Sequence, residues 1–226
     1  MTAYGRRAWI VLWKDLLTER RSKESLNALF FFSLLLLFLF QFALGPDRER
    51  LQAALPGLLW LGFVLAGLLG LGRVFIAERD NDCWEGLLLT PGDKSAIYLG
   101  KLLANFILMT VVEVVLVVLF GVFYNVDLWG VLGPLAVVLF LGTVGLSAVG
   151  TLFAAMTAQV RARELLFPVL LLPVQVPVLL ATVSATQIVL GGQPLAEAAA
   201  WLKLLAGADV VYLVIGLLTF EFILDA

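Results

Sequence analysis

The stretch LWGVLGPLAVVLFLGTVGLSAVGTLFAAMTAQV, residues 128–160, contains 33 residues and carries no charge. A helix of about 20 apolar residues is long enough to cross the roughly 30 Å hydrocarbon layer of a bilayer. The stretch therefore predicts a membrane span that needs only part of its length. The composition of the chain agrees, because 62% of its 226 residues are hydrophobic and 14% are charged, against about 45–50% and about 25% in soluble domains.

Five further apolar stretches predict membrane-spanning helices. Together with the span within residues 128–160 they make six, which predicts an all-α polytopic membrane protein with one transmembrane domain over residues 1–226. The net charge of −2 gives no overall field that would recruit nucleic acid. The five stretches are residues 26–44, 55–77, 102–124, 165–196 and 208–224.

Lysine and arginine are divided unequally between the two faces that these spans define. One face has twelve of them, and the other has only Arg48, Arg50 and Lys203. Positive residues are retained on the cytoplasmic side of a membrane, so both chain termini are predicted to lie in the cytoplasm. We expect no cleaved signal peptide, since the first apolar run is longer than a typical signal core.

The N-terminal leader, residues 1–25, predicts an amphipathic helix. Trp9, Leu12, Trp13 and Leu16 are spaced at i, i+3, i+4 and i+7, the spacing of one helical face. Such a helix can lie in the membrane interface as an elbow, with its tryptophans among the lipid headgroups. The alternative is a simple topology anchor for the first span, because positive-inside sorting alone explains its basic residues.

Two connections between the spans have features of their own. Residues 78–101 form the longest predicted cytoplasmic loop, and they favour a short amphipathic helix that ends at the turn formed by Pro91 and Gly92. This loop is a candidate docking surface for a partner, or else a solvated connector. On the outer face, residues 191–207 predict a loop with a short helix that ends at Gly207.

Three features within the predicted spans are candidates for function. Glu113 lies at mid-span, where an ionisable group is costly and is either functional or a protonated structural contact. Arg73 is near enough to the cytoplasmic boundary for its side chain to reach water. Pro168, Pro173 and Pro177 remove backbone hydrogen bonds from one helix, so this segment is the predicted conformational hinge.

The residues required for common catalytic and metal sites are missing. The chain has no histidine and a single cysteine, so it cannot assemble a structural zinc site or a serine–histidine pair. Gly100 and Lys101 lack the glycine pattern of a phosphate-binding loop. We therefore expect no enzymatic activity and no bound metal or cofactor in this chain. A run of small residues predicts close helix packing instead; it comprises Gly142, Gly145, Ser147, Gly150 and Thr151.

Four stretches together resemble the B-type permease of the cytochrome c maturation system, the CcmB family. The loop pattern alone is also similar to the wider group of six-span ABC-2-type export permeases. One departure is that Asn81 to Trp84 fill a place where the family often has a glycine. The stretches are Trp13-Lys14-Asp15-Leu16 with Arg20, Pro56-Gly57-Leu58-Leu59-Trp60, the loop from Glu78 through Glu85-Gly-Leu-Leu-Leu-Thr-Pro91 to Gly100-Lys101, and residues 172–177.

The resemblance implies a bacterial inner-membrane permease that works with a cytoplasmic ABC ATPase present in two copies. It also implies a haem-handling membrane subunit, a small accessory membrane protein and a periplasmic haem chaperone as partners, and it leaves a homodimer of this chain open. ATP and haem would then be bound by partner subunits, in agreement with the missing histidines. By the same resemblance, a coupling helix that docks on the ATPase would contain Glu78, Arg79, Asp80, Trp84 and Glu85.

The function that this resemblance implies is coupling of ATP hydrolysis to haem delivery, by release of the haem-loaded chaperone. Three alternatives stay open at this stage. The chain is a direct exporter of haem or of another hydrophobic or polymeric substrate, a proton-coupled secondary transporter that uses Glu113, or a passive scaffold.

Overall fold

The computed structural model describes residues 3–22, 24–45, 48–75, 78–79, 86, 93–125, 130–160 and 162–224. Most of these residues are in α-helices, and none of them is in a β-strand. A short 3-10 helix, Leu195–Ala198, precedes the last α-helix. In chain order the helices are α1 Ala3–Ser22, α2 Glu24–Leu44, α3 Arg48–Leu71, α4 Ser95–Tyr124, α5 Leu132–Thr157, α6 Arg163–Leu190 and α7 Ala199–Leu224.

Five helical segments are long and apolar enough to cross a membrane, which confirms the predicted all-α polytopic membrane fold. The sixth predicted span, residues 26–44, lies in α2, where the described apolar stretch Phe30–Ala43 is shorter. The six-span topology and the cytoplasmic termini therefore stay predictions. The five segments are Arg50–Leu71, Ser95–Tyr124, Leu132–Thr157, Arg163–Leu190 and Leu195–Leu224.

Helix α5 lies at the centre of the bundle and packs against α3, α4, α6 and α7. Its glycines allow this, because side chains of the neighbours occupy the space that a Cβ would need. A Cβ at Gly142 would lie 2.7 Å from Cζ3 of Trp60, and one at Gly150 would lie 2.6 Å from Cδ1 of Leu71. The predicted close packing at the small residues of α5 is confirmed, as expected where helices associate in lipid mainly by van der Waals contact.

Buried polar side chains join the helices at mid-bundle. Nε1 of Trp60 on α3 donates to Oγ1 of Thr186 on α6 at 2.8 Å, and Nδ2 of Asn105 on α4 donates to Oγ1 of Thr151 on α5, also at 2.8 Å. Such bonds within membranes contribute about 0.6 kcal/mol each on average. The two bonds fix the rotation of the helices about their axes. Because each bond contributes so little, close packing supplies most of the stability.

Several helix boundaries differ from the predicted spans, and two of these differences have a clear physical cause. Helix α4 begins at Ser95 and not at residue 102, since Oδ1 of Asp93 accepts a hydrogen bond from the Ser95 backbone N–H at 2.9 Å and satisfies a free donor of the first turn. Helix α7 continues through Gly207, where the short outer helix was predicted to end. Within an apolar span the backbone must bond internally, so a single glycine does not end a helix there.

Candidate functional site

The side-chain ammonium of Lys101, at the cytoplasmic end of α4 in the predicted topology, is fully buried and has three hydrogen-bond acceptors. Nζ donates to Oε1 of Glu78 at 2.7 Å, to Oδ2 of Asp15 at 3.1 Å and to the backbone carbonyl of Val74 at 3.0 Å. The ring of Phe75 covers it at 4.5 Å from Nζ to the ring centroid. A buried charge is tolerated only with such partners, so this lysine is held in one place.

Lys14 completes an ion cluster, defined here as Lys14, Asp15, Glu78 and Lys101. Nζ of Lys14 lies 3.0 Å from Oδ1 of Asp15 and also pairs with Oε1 of Glu78. Two positive and two negative groups therefore balance. The cluster joins α1 to α4 and to the segment that follows α3, three parts of the chain that are distant in sequence.

The charges of the ion cluster stabilise one another. Burial alone would raise the pKa of Glu78, but Lys101 and Lys14 outweigh it and lower this pKa below its usual 4.5. Burial alone would lower the pKa of Lys14, but Asp15 and Glu78 outweigh it and raise this pKa above its usual 10.5. Both shifts favour the ionised forms, so Glu78 and Lys14 are charged near neutral pH.

Helix α1 lies directly on the beginning of α4. A Cβ at Gly100 would lie 2.6 Å from the carbonyl oxygen of Ala8 and 2.7 Å from Cβ of Val11. The hydroxyls of Tyr4 and Ser95 are 3.1 Å apart and share a hydrogen bond. Gly100 thus allows the backbones of α1 and α4 to approach each other closely. The neighbouring Lys101 stabilises this contact through its ion pair with Asp15 on α1.

The predicted leader helix is confirmed as α1, and the residues of its predicted interfacial face differ in burial. Leu12 packs inward, whereas Trp9 and Trp13 are 54% and 58% exposed and stack on each other with ring centroids 6.5 Å apart. The close approach at Gly100 requires the small side chain of Ala8 on the packed side, which turns the tryptophans outward. Their location in the membrane interface stays a prediction.

The predicted docking residues are placed in part. Glu78 belongs to the ion cluster, and Arg79 is exposed, with Nη1 3.5 Å from the carbonyl oxygen of Ala158 at the end of α5. Asp80, Trp84 and Glu85 lie outside the described residues, so the coupling helix stays a prediction. Sequence reasoning did not assign the pairing of Asp15 with Lys101, although a lysine at the start of an apolar span is a signal that a carboxylate lies nearby.

Glu113 is buried between α4 and α5, as predicted from its mid-span position. Its Oε2 is 2.8 Å from Oγ1 of Thr143, and the same Oγ1 is 2.8 Å from the Leu139 carbonyl oxygen. A threonine hydroxyl has only one proton. The Thr143 hydroxyl therefore donates either to Oε2 of Glu113 or to the Leu139 carbonyl, and in the second case a protonated Glu113 donates to Thr143. A functional role for Glu113 stays a prediction.

The remaining predicted sites lie in α3 and α6. Arg73 is exposed in the turn after α3. Helix α6 continues without interruption through Pro168, Pro173 and Pro177, and the hydroxyl of Tyr212 on α7 donates to the Val174 carbonyl at 2.8 Å. This bond joins α7 to α6 one residue after Pro173, the residue whose carbonyl Pro177 leaves without its helical donor. The hinge role stays a prediction.

These helices and their buried polar contacts define an all-α, multi-pass membrane protein. A family model described as CcmB protein matches residues 6–224, and the chain belongs to the CcmB family. It is 33% identical over 183 residues to Heme exporter protein B of Pseudomonas aeruginosa, with 81% of each chain covered. It is 32% identical over 191 residues to the protein of the same name from Bradyrhizobium diazoefficiens, with 84% of each covered.

A third relative agrees with these two. The chain is 36% identical over 153 residues to Heme exporter protein B of Rhodobacter capsulatus, and the aligned region covers 66% of this chain and 68% of that protein. The family match includes all four members of the ion cluster, Lys14, Asp15, Glu78 and Lys101. Within the described residues, no group of three or more His, Cys, Asp or Glu side chains is arranged to hold a metal ion.

Proposed function

We propose that this chain is the membrane permease subunit of an ABC transporter complex for cytochrome c biogenesis in the bacterial inner membrane. It couples ATP hydrolysis on a separate ATPase to haem delivery, by release of the haem-loaded periplasmic chaperone. The proposal is supported by the CcmB family match and by the name that the relatives share, Heme exporter protein B. The ATPase, the haem-handling subunit and the accessory protein are partners under the same proposal.

The observation that carries the proposal is the ion cluster at the connection between α3 and α4. Glu78 lies near the beginning of this connection and Lys101 just beyond its end, and both bind α1 through Lys14 and Asp15. Removing one partner from a buried ion pair costs several kcal/mol. An ATPase that displaces the connection would therefore move α1 and the beginning of α4 with it, which is a mechanical route from the cytoplasm into the bundle.

The partners can be tested by purification. The tagged chain is extracted in mild detergent and the proteins that accompany it are identified by mass spectrometry. An ATPase together with a haem-handling subunit is the expected result. An ATPase alone would reduce the proposal to a general export permease, and no ATPase under several mild conditions would contradict it.

The docking surface is tested by Trp84→Ala and Glu85→Gln. Both variants should insert normally and hydrolyse ATP in the complex, but yield less mature cytochrome c per ATP. The matched control is Glu221→Gln, which changes an exposed acid on α7. If both variants retain full maturation, the docking assignment is wrong.

Direct export of haem or of another hydrophobic molecule is the second candidate for the same complex. It predicts ATP-dependent accumulation of the molecule inside inverted vesicles. A secondary transporter that uses Glu113 has one supporting observation, the buried contact between this carboxyl and Thr143. It predicts gradient-driven uptake that Glu113→Gln abolishes and that needs no ATPase.

A further inference from the structure

Asp209 is a buried carboxyl group in α7 that receives no hydrogen bond from the described residues. Its side chain is among the buried polar groups at 5% exposure, and neither Oδ1 nor Oδ2 has a donor within that part of the chain. It lies near the middle of the apolar segment Leu195–Leu224. An ionised carboxylate without donors is very costly in such surroundings, and the group becomes neutral instead.

Helices α5 and α6 meet Asp209 at Gly145. A Cβ at Gly145 would lie 2.7 Å from Oδ1 of Asp209, and Nε2 of Gln175 on α6 donates to the Gly145 carbonyl at 3.1 Å. Oε1 of Gln175 is buried and has no donor among the described residues either. Two side chains with unpartnered acceptor atoms, one on α7 and one on α6, therefore meet the same glycine of α5.

Among the described residues, no side chain donates a hydrogen bond to the Asp209 carboxyl, and Tyr212 is close enough for a charge on Asp209 to act on it. Helix α5 has no ionisable residue, Glu113 on α4 is bonded to Thr143, and Tyr212 on α7 donates to Val174. Tyr98 on α4 donates to the Ala148 carbonyl at 3.0 Å. The other ionisable groups on the packed elements are Lys94, Lys101 and Tyr124 on α4, Arg163 and Glu164 on α6, Glu197 on the 3-10 helix, and Lys203 and Glu221 on α7.

We propose that Asp209 is a proton-binding site that controls how closely α7 packs against α5 and α6. With the proton bound, the carboxyl is neutral and can stay buried among apolar side chains, and α7 stays closed on Gly145. When the proton leaves to solvent water, the carboxylate needs donors, but Nε2 of Gln175 is already bonded to Gly145. Ionisation then breaks that bond or draws water inward, and the contact opens beside Pro173 and Pro177.

Infrared spectroscopy of the purified full-length chain in nanodiscs tests the bound proton directly. A protonated carboxylic acid has its own C=O stretching band, and carbon-13 at the aspartate side-chain carboxyl shifts this band for aspartate and not for Glu113. We expect a shifted band at neutral pH that is lost in Asp209→Asn and retained in Glu221→Gln. If the labelled native chain has no protonated aspartate, the proposal is wrong, and this outcome does not depend on the folding of any variant.

Thermal unfolding as a function of pH tests the link to packing. If the folded state binds a proton that the unfolded state releases, the stability of the folded state falls as pH rises. The native chain should therefore have a lower unfolding midpoint at pH 9 than at pH 6, and the difference should be smaller in Asp209→Asn. Glu113→Gln measures how much of the pH dependence comes from Glu113, the other acid buried within the apolar segments. Glu221→Gln should behave as the native chain. A difference that Asp209→Asn leaves unchanged would overturn the proposal. Neither test involves haem or ATP, so their outcome is independent of the proposed transport function.

Discussion

Nζ of Lys101 lies 2.7 Å from Oε1 of Glu78, so the two ends of the connection between α3 and α4 are held together by one buried ion pair. Asp15 and Lys14 extend this pair to α1. The three parts of the chain are thus linked through charge at one point. This arrangement fastens α1, Glu78 and the beginning of α4 to one another.

Lys101→Met should destabilise the folded chain by about 3–5 kcal/mol, because it leaves Glu78 and Asp15 with an uncompensated buried charge. The measurement is the free energy of unfolding in mixed micelles. Lys203→Met, which removes an exposed lysine on α7, should change it by less than about 0.5 kcal/mol. Equal effects of the two substitutions would contradict the burial and pairing of Lys101.

Gly100→Ala should loosen α1, because the new Cβ would lie 2.6 Å from the backbone oxygen of Ala8. Hydrogen exchange of the α1 amides should become faster, while the distant α6 is unaffected. Gly207→Ala is the matched control, since a Cβ there meets nothing within 4 Å, and it should be neutral or stabilise by about 0.5–1 kcal/mol. If exchange in α1 is the same in both variants, the close approach at Gly100 is wrong.

The attachment of α1 should depend on pH in two windows. The pKa of Glu78 is lowered below 4.5 in the folded chain, so its contribution to stability is present above about pH 4.5 and is lost as pH falls through the lowered value. The pKa of Lys14 is raised above 10.5, so its contribution is present below that pH and is lost as pH rises through the raised value. Exchange of the α1 amides, corrected for intrinsic rates, should show an acid transition that Glu78→Gln removes. An acid transition of the same size in Glu78→Gln would assign it to other groups.

Gly142→Ala should destabilise the bundle strongly, because the new Cβ would lie 2.7 Å from Cζ3 of Trp60 and 2.8 Å from Cγ2 of Thr182. Trp60→Phe removes the bond to Thr186, worth about 0.6 kcal/mol, and part of the buried ring, but it introduces no clash and should cost less. Thermal unfolding of both variants gives the comparison. A milder effect of Gly142→Ala than of Trp60→Phe would contradict the packing at α5.

The sequence predicted the helical membrane fold well, because uncharged runs of this length have one stable conformation in a bilayer. Residues 128–160 contain α5, and Glu113 is buried as its mid-span position indicated. The small residues of α5 also packed closely as predicted. These predictions depend on local composition and on spacing along one helix, which a single sequence records directly.

Long-range contacts were not predictable in the same way. Asp15 and Lys101 are 86 residues apart in sequence, and no local pattern shows that α1 folds back on α4. Asp209 lay at the edge of the predicted span 208–224, whereas α7 begins at Ala199 and buries it. The orientation of Trp9 and Trp13 likewise depended on a contact with Gly100 that helical spacing does not contain.

Under the proposed function the ion cluster transmits the action of an ATPase partner to the bundle, and Glu78→Gln removes one charge of the cluster. The full complex is assayed in membranes for ATP hydrolysis and for mature cytochrome c, both per inserted chain, with Trp60→Phe as a control for general destabilisation. Glu78→Gln should retain hydrolysis and lower the yield of mature cytochrome c per ATP, while Trp60→Phe should leave this ratio unchanged. If Glu78→Gln yields as much mature cytochrome c per ATP as the native chain, the coupling role of the cluster is wrong.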